Sequence, residues 1–107
     1  MVSGKGARAK GHSFERKVVN DLREVDVTAK RNLEYQEGKG FDIDTRLPYL
    51  IQCKNQKRVN WIKAMSEIPE EEGFIPVVAG KVTRKGEFAF LKWSDFLNMV
   101  KRIHIGV

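Results

Sequence analysis

Phe41-Asp42-Ile43-Asp44-Thr45-Arg46-Leu47-Pro48-Tyr49-Leu50-Ile51-Gln52-Cys53-Lys54 is the stretch that decides the fold. Phe41 to Asp44 and Leu50 to Lys54 each alternate apolar and polar, the period of a strand with one face in a core. Leu47-Pro48-Tyr49 is short enough to close a hairpin between them. Asp42 and Asp44 then share one face of the first strand, and Gln52 and Lys54 share one face of the second. The hairpin brings a carboxylate, an amide oxygen and an ammonium group together. Oxygen ligands suit a hard cation such as magnesium, and a lysine beside a cation holds a phosphate or an attacking water. Asp44 lies about 6–7 Å further along the strand than Asp42. Its expected role is open between a second cation, an ion pair with Arg46 or Lys54, and solvent.

Working outward, Phe14 to Val25 reads as an amphipathic helix. At ~100° per residue, Val18, Leu22 and Val25 fall within about 80° of Phe14, and Val19 at about 140°. Arg16, Lys17, Asn20, Arg23 and Glu24 lie outside that arc, whereas Glu15 lies inside it. A carboxylate on a buried arc needs a partner or a cation. Residues 1–11 form a basic N-terminal arm with Lys5, Arg8 and Lys10 and no acid, either flexible or extending the helix.

Val27 to Glu34 is expected as a first strand and Gln36 to Gly40 as a glycine-containing turn. After the hairpin come a short helix over Val59 to Ile68, an acidic loop Pro69 to Gly73 and an apolar strand Phe74 to Lys81. A strand over Glu87 to Leu91 follows, then a helix capped by Ser94, with Phe96, Leu97, Val100 and Ile103 inward. Trp61 and Trp93 are expected in the core or a groove. The order α-β-β-β-α-β with a trailing strand and helix predicts an α/β sandwich around a mixed sheet.

The 107 residues suffice for one domain with one core. The net charge of +6 and a pI of about 9.6 favour polyanionic partners. The single cysteine excludes an internal disulfide and a cysteine-based zinc site. No apolar run is long enough to span a membrane, and the N-terminus lacks the apolar core of a signal peptide, so a cytoplasmic protein is expected.

Asp42 followed by Gln52-Cys53-Lys54, with Gly38-Lys39-Gly40-Phe41 approaching the aspartate, resembles the PD-(D/E)XK nuclease superfamily. Ser13-Phe14-Glu15-Arg16 on the early helix is similar to Holliday-junction resolvases of archaeal and phage type. The likeness runs from about Lys5 to Met99. Most members carry Glu where this chain has Gln52. The resemblance implies a restriction-endonuclease-like three-layer sandwich, a central mixed β-sheet flanked by helices, forming one nuclease domain over residues 1–107. It implies a cytoplasmic protein of phage, archaeal or bacterial origin, a homodimer that cuts branched DNA with Mg2+ or Mn2+. It implies Glu15, Asp42, Gln52 and Lys54 as catalytic residues. The cation ligands would be Asp42, Gln52, the Cys53 main-chain carbonyl and Glu15. Lys5, Arg8, Lys10, Arg16, Lys39, Lys57 and Arg58 are the expected DNA contacts. Two other functions fit the same residues: a nicking or flap nuclease without junction preference, and a DNA-binding protein that has lost its metal.

Overall fold

The computed structural model describes residues 4–32 and 41–106, with residues 4–9 as backbone only. The chain order is α1 (Gly4–Leu22), β1 (Lys30–Arg31), β2 (Ile43–Asp44), β3 (Tyr49–Gln56), α2 (Trp61–Ser66), β4 (Ile75–Val82), β5 (Gly86–Phe90) and α3 (Trp93–His104). The expected order of elements is the one found. The five strands form one sheet in sequence order. Only β3 and β4 run parallel, joined through α2, and the other neighbours are antiparallel. The sheet is therefore mixed, and its centre is the parallel pair.

Alternation along β3 decides which helix covers which face. Ile51 and Cys53 turn to one side, where Ile43, Val18, Val19 and Leu22 of α1 pack with them. Leu50 turns to the other, against Val78 and against Ala64 and Ile68 at α2. With α1 on one face and α2 on the other, the sheet is a middle layer. Trp61 of α2 lies on β4 and β5, its ring 5.8 Å from Phe90 and 6.3 Å from Phe88. Glycine is required beneath it, because a Cβ at Gly80 would fall onto the indole ring. The expected core role of Trp61 is correct.

Helix α1 starts earlier and stops sooner than its apolar period suggests. From Gly4 onward the basic arm is helical rather than flexible. At the other end the Leu22 carbonyl accepts from both Val25 and Asp26 N–H, closing the helix. Val25 falls beyond it and is exposed, against the expectation of a buried position. Asp26 explains the early stop. Its buried carboxylate accepts from the Thr28 N–H and hydroxyl, the Thr45 hydroxyl and the Arg46 N–H, at 2.6–2.9 Å. The chain thus turns at residue 26 to tie the end of α1 to the β2–β3 loop.

Strand β1 is shorter than the stretch from Val27 that was expected, and Glu34 and the Gln36–Gly40 turn lie outside the described residues. Helix α3 departs most from expectation. It begins at Trp93 with Lys92 at the cap and no side-chain cap bond, so Ser94 sits in the first turn. None of its residues is buried. Phe96 and Leu97 are exposed, as are Trp93 at 70 % and Ile103 at 72 %, so none of these points into a core as expected. The reason is connectivity. Only Leu91 and Lys92 separate β5 from α3, and the helix stays at the end of the sheet beside Tyr49 and Ile75 rather than crossing a face. Among the described residues no helix is long and apolar enough to cross a membrane.

Candidate active site

Asp42 sits where β2 begins beside β3. Its main-chain N–H bonds the Ile51 carbonyl at 2.8 Å, and its carbonyl accepts from the Asn32 N–H at 2.9 Å. The Asn32 side chain also donates to the Phe41 carbonyl at 2.8 Å, so residues 41 and 42 are clamped from both sides. The carboxylate of Asp42 turns back onto β3 and accepts from the Cys53 N–H at 2.8 Å. A strand residue directs its N–H and C=O to the same side. The Cys53 carbonyl therefore opens toward Asp42, away from β4. Its thiol is held well above the ordinary range by burial and by the Asp42 and Glu15 charges, which leaves it protonated and inert.

Gln52 and Lys54 share the α2 side of β3, as the alternation predicts, and a residue not singled out in the sequence joins them. Glu67, at the end of α2, accepts from the Gln52 amide at 2.6 Å and from the Lys54 ammonium at 3.2 Å, both at Oε2. Gln52 is only 7 % exposed. Its amide nitrogen is committed to Glu67, which leaves the amide oxygen as its remaining acceptor. The one available signal for Glu67 is its position. An acid in the last turn of a helix opposes the helix dipole, by about 0.3–1 kcal/mol when exposed.

Glu15 is half-buried on α1 and paired with Arg31 of β1 at 2.9 Å. The sequence marks Glu15 as needing a partner; in the structure that partner is a cation of the protein itself. Asp44 lies 4.0 Å from the Lys30 ammonium, with both side chains largely open to solvent, and its expected partners Arg46 and Lys54 bond Asp26 and Glu67 instead.

Burial raises the pKa of the Asp42 carboxyl. The Cys53 N–H works against that shift, Glu15 adds to it, Lys54 opposes it and Glu67 adds to it. A carboxylate so desolvated, among more acid than base, is one that a bound cation would relieve. The surrounding donors are all oxygens: the Asp42 carboxylate, the Gln52 amide and the Cys53 carbonyl. This set fits a hard dication such as Mg2+ or Mn2+. Among the described residues no three His, Cys, Asp or Glu side chains form a ready-made metal cage. The set depends on amide and main-chain oxygen instead.

The parallel strands carry Lys54 toward a basic end of the molecule. Exposed Lys57 and Arg58 follow β3, while Lys81 lies next to the last residue of β4 and Arg84 and Lys85 form the turn into β5. Lys10 of α1 joins them, its ammonium 3.3 Å from the Thr83 hydroxyl and its carbonyl accepting from Asn55. Arg16 is exposed on α1. Lys5 and Arg8 lie on the first two turns of α1, and Lys39 lies outside the described residues. Arg84 and Lys85 are not among the DNA contacts expected from the sequence. At the opposite end of the sheet Glu70, Glu71, Glu72 and Asp95 gather beside Lys92.

Comparison with protein-family models, with curated proteins and with solved structures finds no match to this chain.

Proposed function

We propose that the chain is a metal-dependent DNA endonuclease of the restriction-endonuclease-like type that hydrolyses phosphodiester bonds in branched DNA. The observation that carries the reading is the convergence of Asp42, Gln52 and Lys54 on one side of the β2–β3 hairpin. Asp42 is tied to β3 through the Cys53 N–H, and Gln52 and Lys54 of the same strand meet at Glu67. The charge distribution supports it as well: the basic end lies beside Lys54 and the acidic end lies away from it.

In this reading the Asp42 carboxylate, the Gln52 amide oxygen and the Cys53 carbonyl would hold Mg2+ or Mn2+. Such a cation supplies a water of lowered pKa and charge neutralisation at the phosphate. Lys54 binds the scissile phosphate and orients the attacking water on the same side. Arg31 holds Glu15 beside Asp42, so Glu15 acts through its charge. Lys10, Arg16, Lys57, Arg58, Arg84 and Lys85 contact the DNA backbone. Phosphate contacts of this kind position a duplex without reading its bases.

Symmetric cutting of a four-way junction needs two active sites, which a twofold homodimer supplies. The exposed apolar residues of α3 support such a partner. So does its charge layout, with Asp95 in the first turn beside Glu70 to Glu72 and Lys101 and Arg102 in the last. An antiparallel pair of α3 helices would set acid against base twice.

The test is cleavage of a labelled four-way junction and of a linear duplex of the same sequence, with Mg2+ or Mn2+ and with EDTA. The expected result is metal-dependent cleavage of the junction in preference to the duplex. Equal cleavage of both would mean a nuclease without junction preference. Tight binding without cleavage in either metal would mean a DNA-binding protein that has lost catalysis.

A further inference from the structure

We propose that Glu67 supplies the second carboxylate of the cation site, beside the uncharged Gln52 amide oxygen, and that the Gln52 amide nitrogen positions it. The inference rests on the nuclease reading above and deepens it.

Three observations carry it. The first is the direction of the Gln52 amide. Gln52 donates to Glu67 at 2.6 Å from a buried position, so its stronger polar commitment is to another carboxylate. The second is convergence at one atom. Glu67 Oε2 receives both Gln52 and Lys54, so the carboxylate is already turned into the site and already holds positive charge there. The third is its relation to Asp42. The Ile43–Ile51 pairing sets Asp42 across from Gln52, the residue whose amide Glu67 accepts. A hard dication is bound through ligand charge as well as ligand number. Asp42 alone would leave the site with one anionic ligand, and Asp42 with Glu67 gives it two.

The backbone explains why Glu67 reaches this point. The Glu67 N–H closes α2 on the Ala64 carbonyl, and the next residue, Ile68, is buried in the core. The side chain therefore leaves from a fixed helix end directly over β3. Without a cation, Glu67 is held by Lys54 and Gln52. With Glu67 engaged in the site, Lys54 is released to a phosphate.

The test is calorimetric titration of the full chain with Mn2+ alone, without DNA. Wild type, Glu67→Gln, Asp42→Asn and the exchange variant Gln52→Glu/Glu67→Gln are compared, with circular dichroism to check that each is folded. Loss of an outer partner of a metal ligand already weakens affinity about 10–100-fold, so Glu67→Gln should weaken Mn2+ binding at least about tenfold. The exchange variant returns the carboxylate to β3 with the hydrogen bond reversed, and should recover wild-type affinity within about threefold. Unchanged affinity in Glu67→Gln, with loss in Asp42→Asn, overturns the role of Glu67 and leaves the nuclease reading standing. Failure of the exchange variant to recover affinity while folded also overturns it. No Mn2+ binding by wild type overturns both.

Discussion

The Asp42 carboxylate accepts a hydrogen bond from the Cys53 main-chain N–H at 2.8 Å, which fixes the acid of β2 against the strand that carries Gln52 and Lys54. That bond only partly offsets the burial that raises the Asp42 pKa. A group whose folded pKa is raised leaves the folded state fully stable below the ordinary carboxylate value, and stability is lost as pH rises through the folded value. At neutral pH Asp42 therefore destabilises the metal-free fold. Asp42→Asn keeps an oxygen for Cys53 and removes the buried charge. Its melting temperature without metal should exceed that of wild type at pH 7, and the two should converge below about pH 4. Thermal melts in EDTA across that range check this, and a less stable variant at pH 7 would contradict it.

Asp26 should show the opposite pH dependence. Hydrogen bonds from the Thr28 and Thr45 hydroxyls and from the Arg46 and Thr28 N–H groups hold its carboxyl well below the usual carboxylate range. A depressed pKa stabilises the fold above the ordinary value, and that stability is lost as pH falls toward the folded value. Asp26→Ala should lower the urea midpoint at pH 7, with a gap from wild type that narrows below about pH 4. A midpoint equal to wild type at neutral pH would show that the end of α1 and the β2–β3 loop hold without this anchor.

DNA affinity should depend steeply on salt. If a dimer neutralises about 6–10 phosphates, the slope of log K against log salt should be roughly −5 to −9. Replacing both Arg84 and Lys85 with Gln removes two charges per chain from the basic end, and each lost phosphate contact should flatten the slope by about 1. Fluorescence anisotropy over a salt series gives both slopes. Equal slopes for wild type and the Arg84/Lys85 variant would remove the β4–β5 turn from the interface.

Leu97→Glu should convert a dimer into a monomer while leaving the fold intact. Leu97 is exposed on α3 and packs in no core cluster, so the change should shift stability by less than about 1 kcal/mol within one chain. In a helix pair it would bury an unpaired charge. Sedimentation equilibrium of both proteins at the same concentration distinguishes these outcomes. A monomeric wild type would contradict the proposed assembly.

Much of the architecture was legible because periodicity reports burial. The alternation in Leu50 to Lys54 places Leu50 on the α2 side and Ile51 and Cys53 on the α1 side. Helix α3 misled for the same reason: an apolar stripe shows that a helix needs a partner, and says nothing about whether the partner lies in the same chain. The end of α1 was missed because Asp26 acts through Thr45 and Arg46, about twenty residues away in sequence. In the candidate site the residues on β2 and β3 were legible from their spacing. Glu67 and Arg31 were not, since each reaches its partner across elements whose packing no local pattern encodes.

Whether Asp42 is the catalytic carboxylate of a DNA-cleaving site is read from cleavage of a labelled four-way junction in Mn2+ by wild type and Asp42→Asn side by side. A cation held by Asp42 would supply several kcal/mol of barrier lowering, and each ~1.4 kcal/mol is tenfold in rate. The variant should therefore cleave at least about 100-fold more slowly, while binding the junction as tightly as wild type or more tightly. Cleavage by Asp42→Asn at the wild-type rate, with contaminating nuclease excluded, would remove Asp42 from the active site.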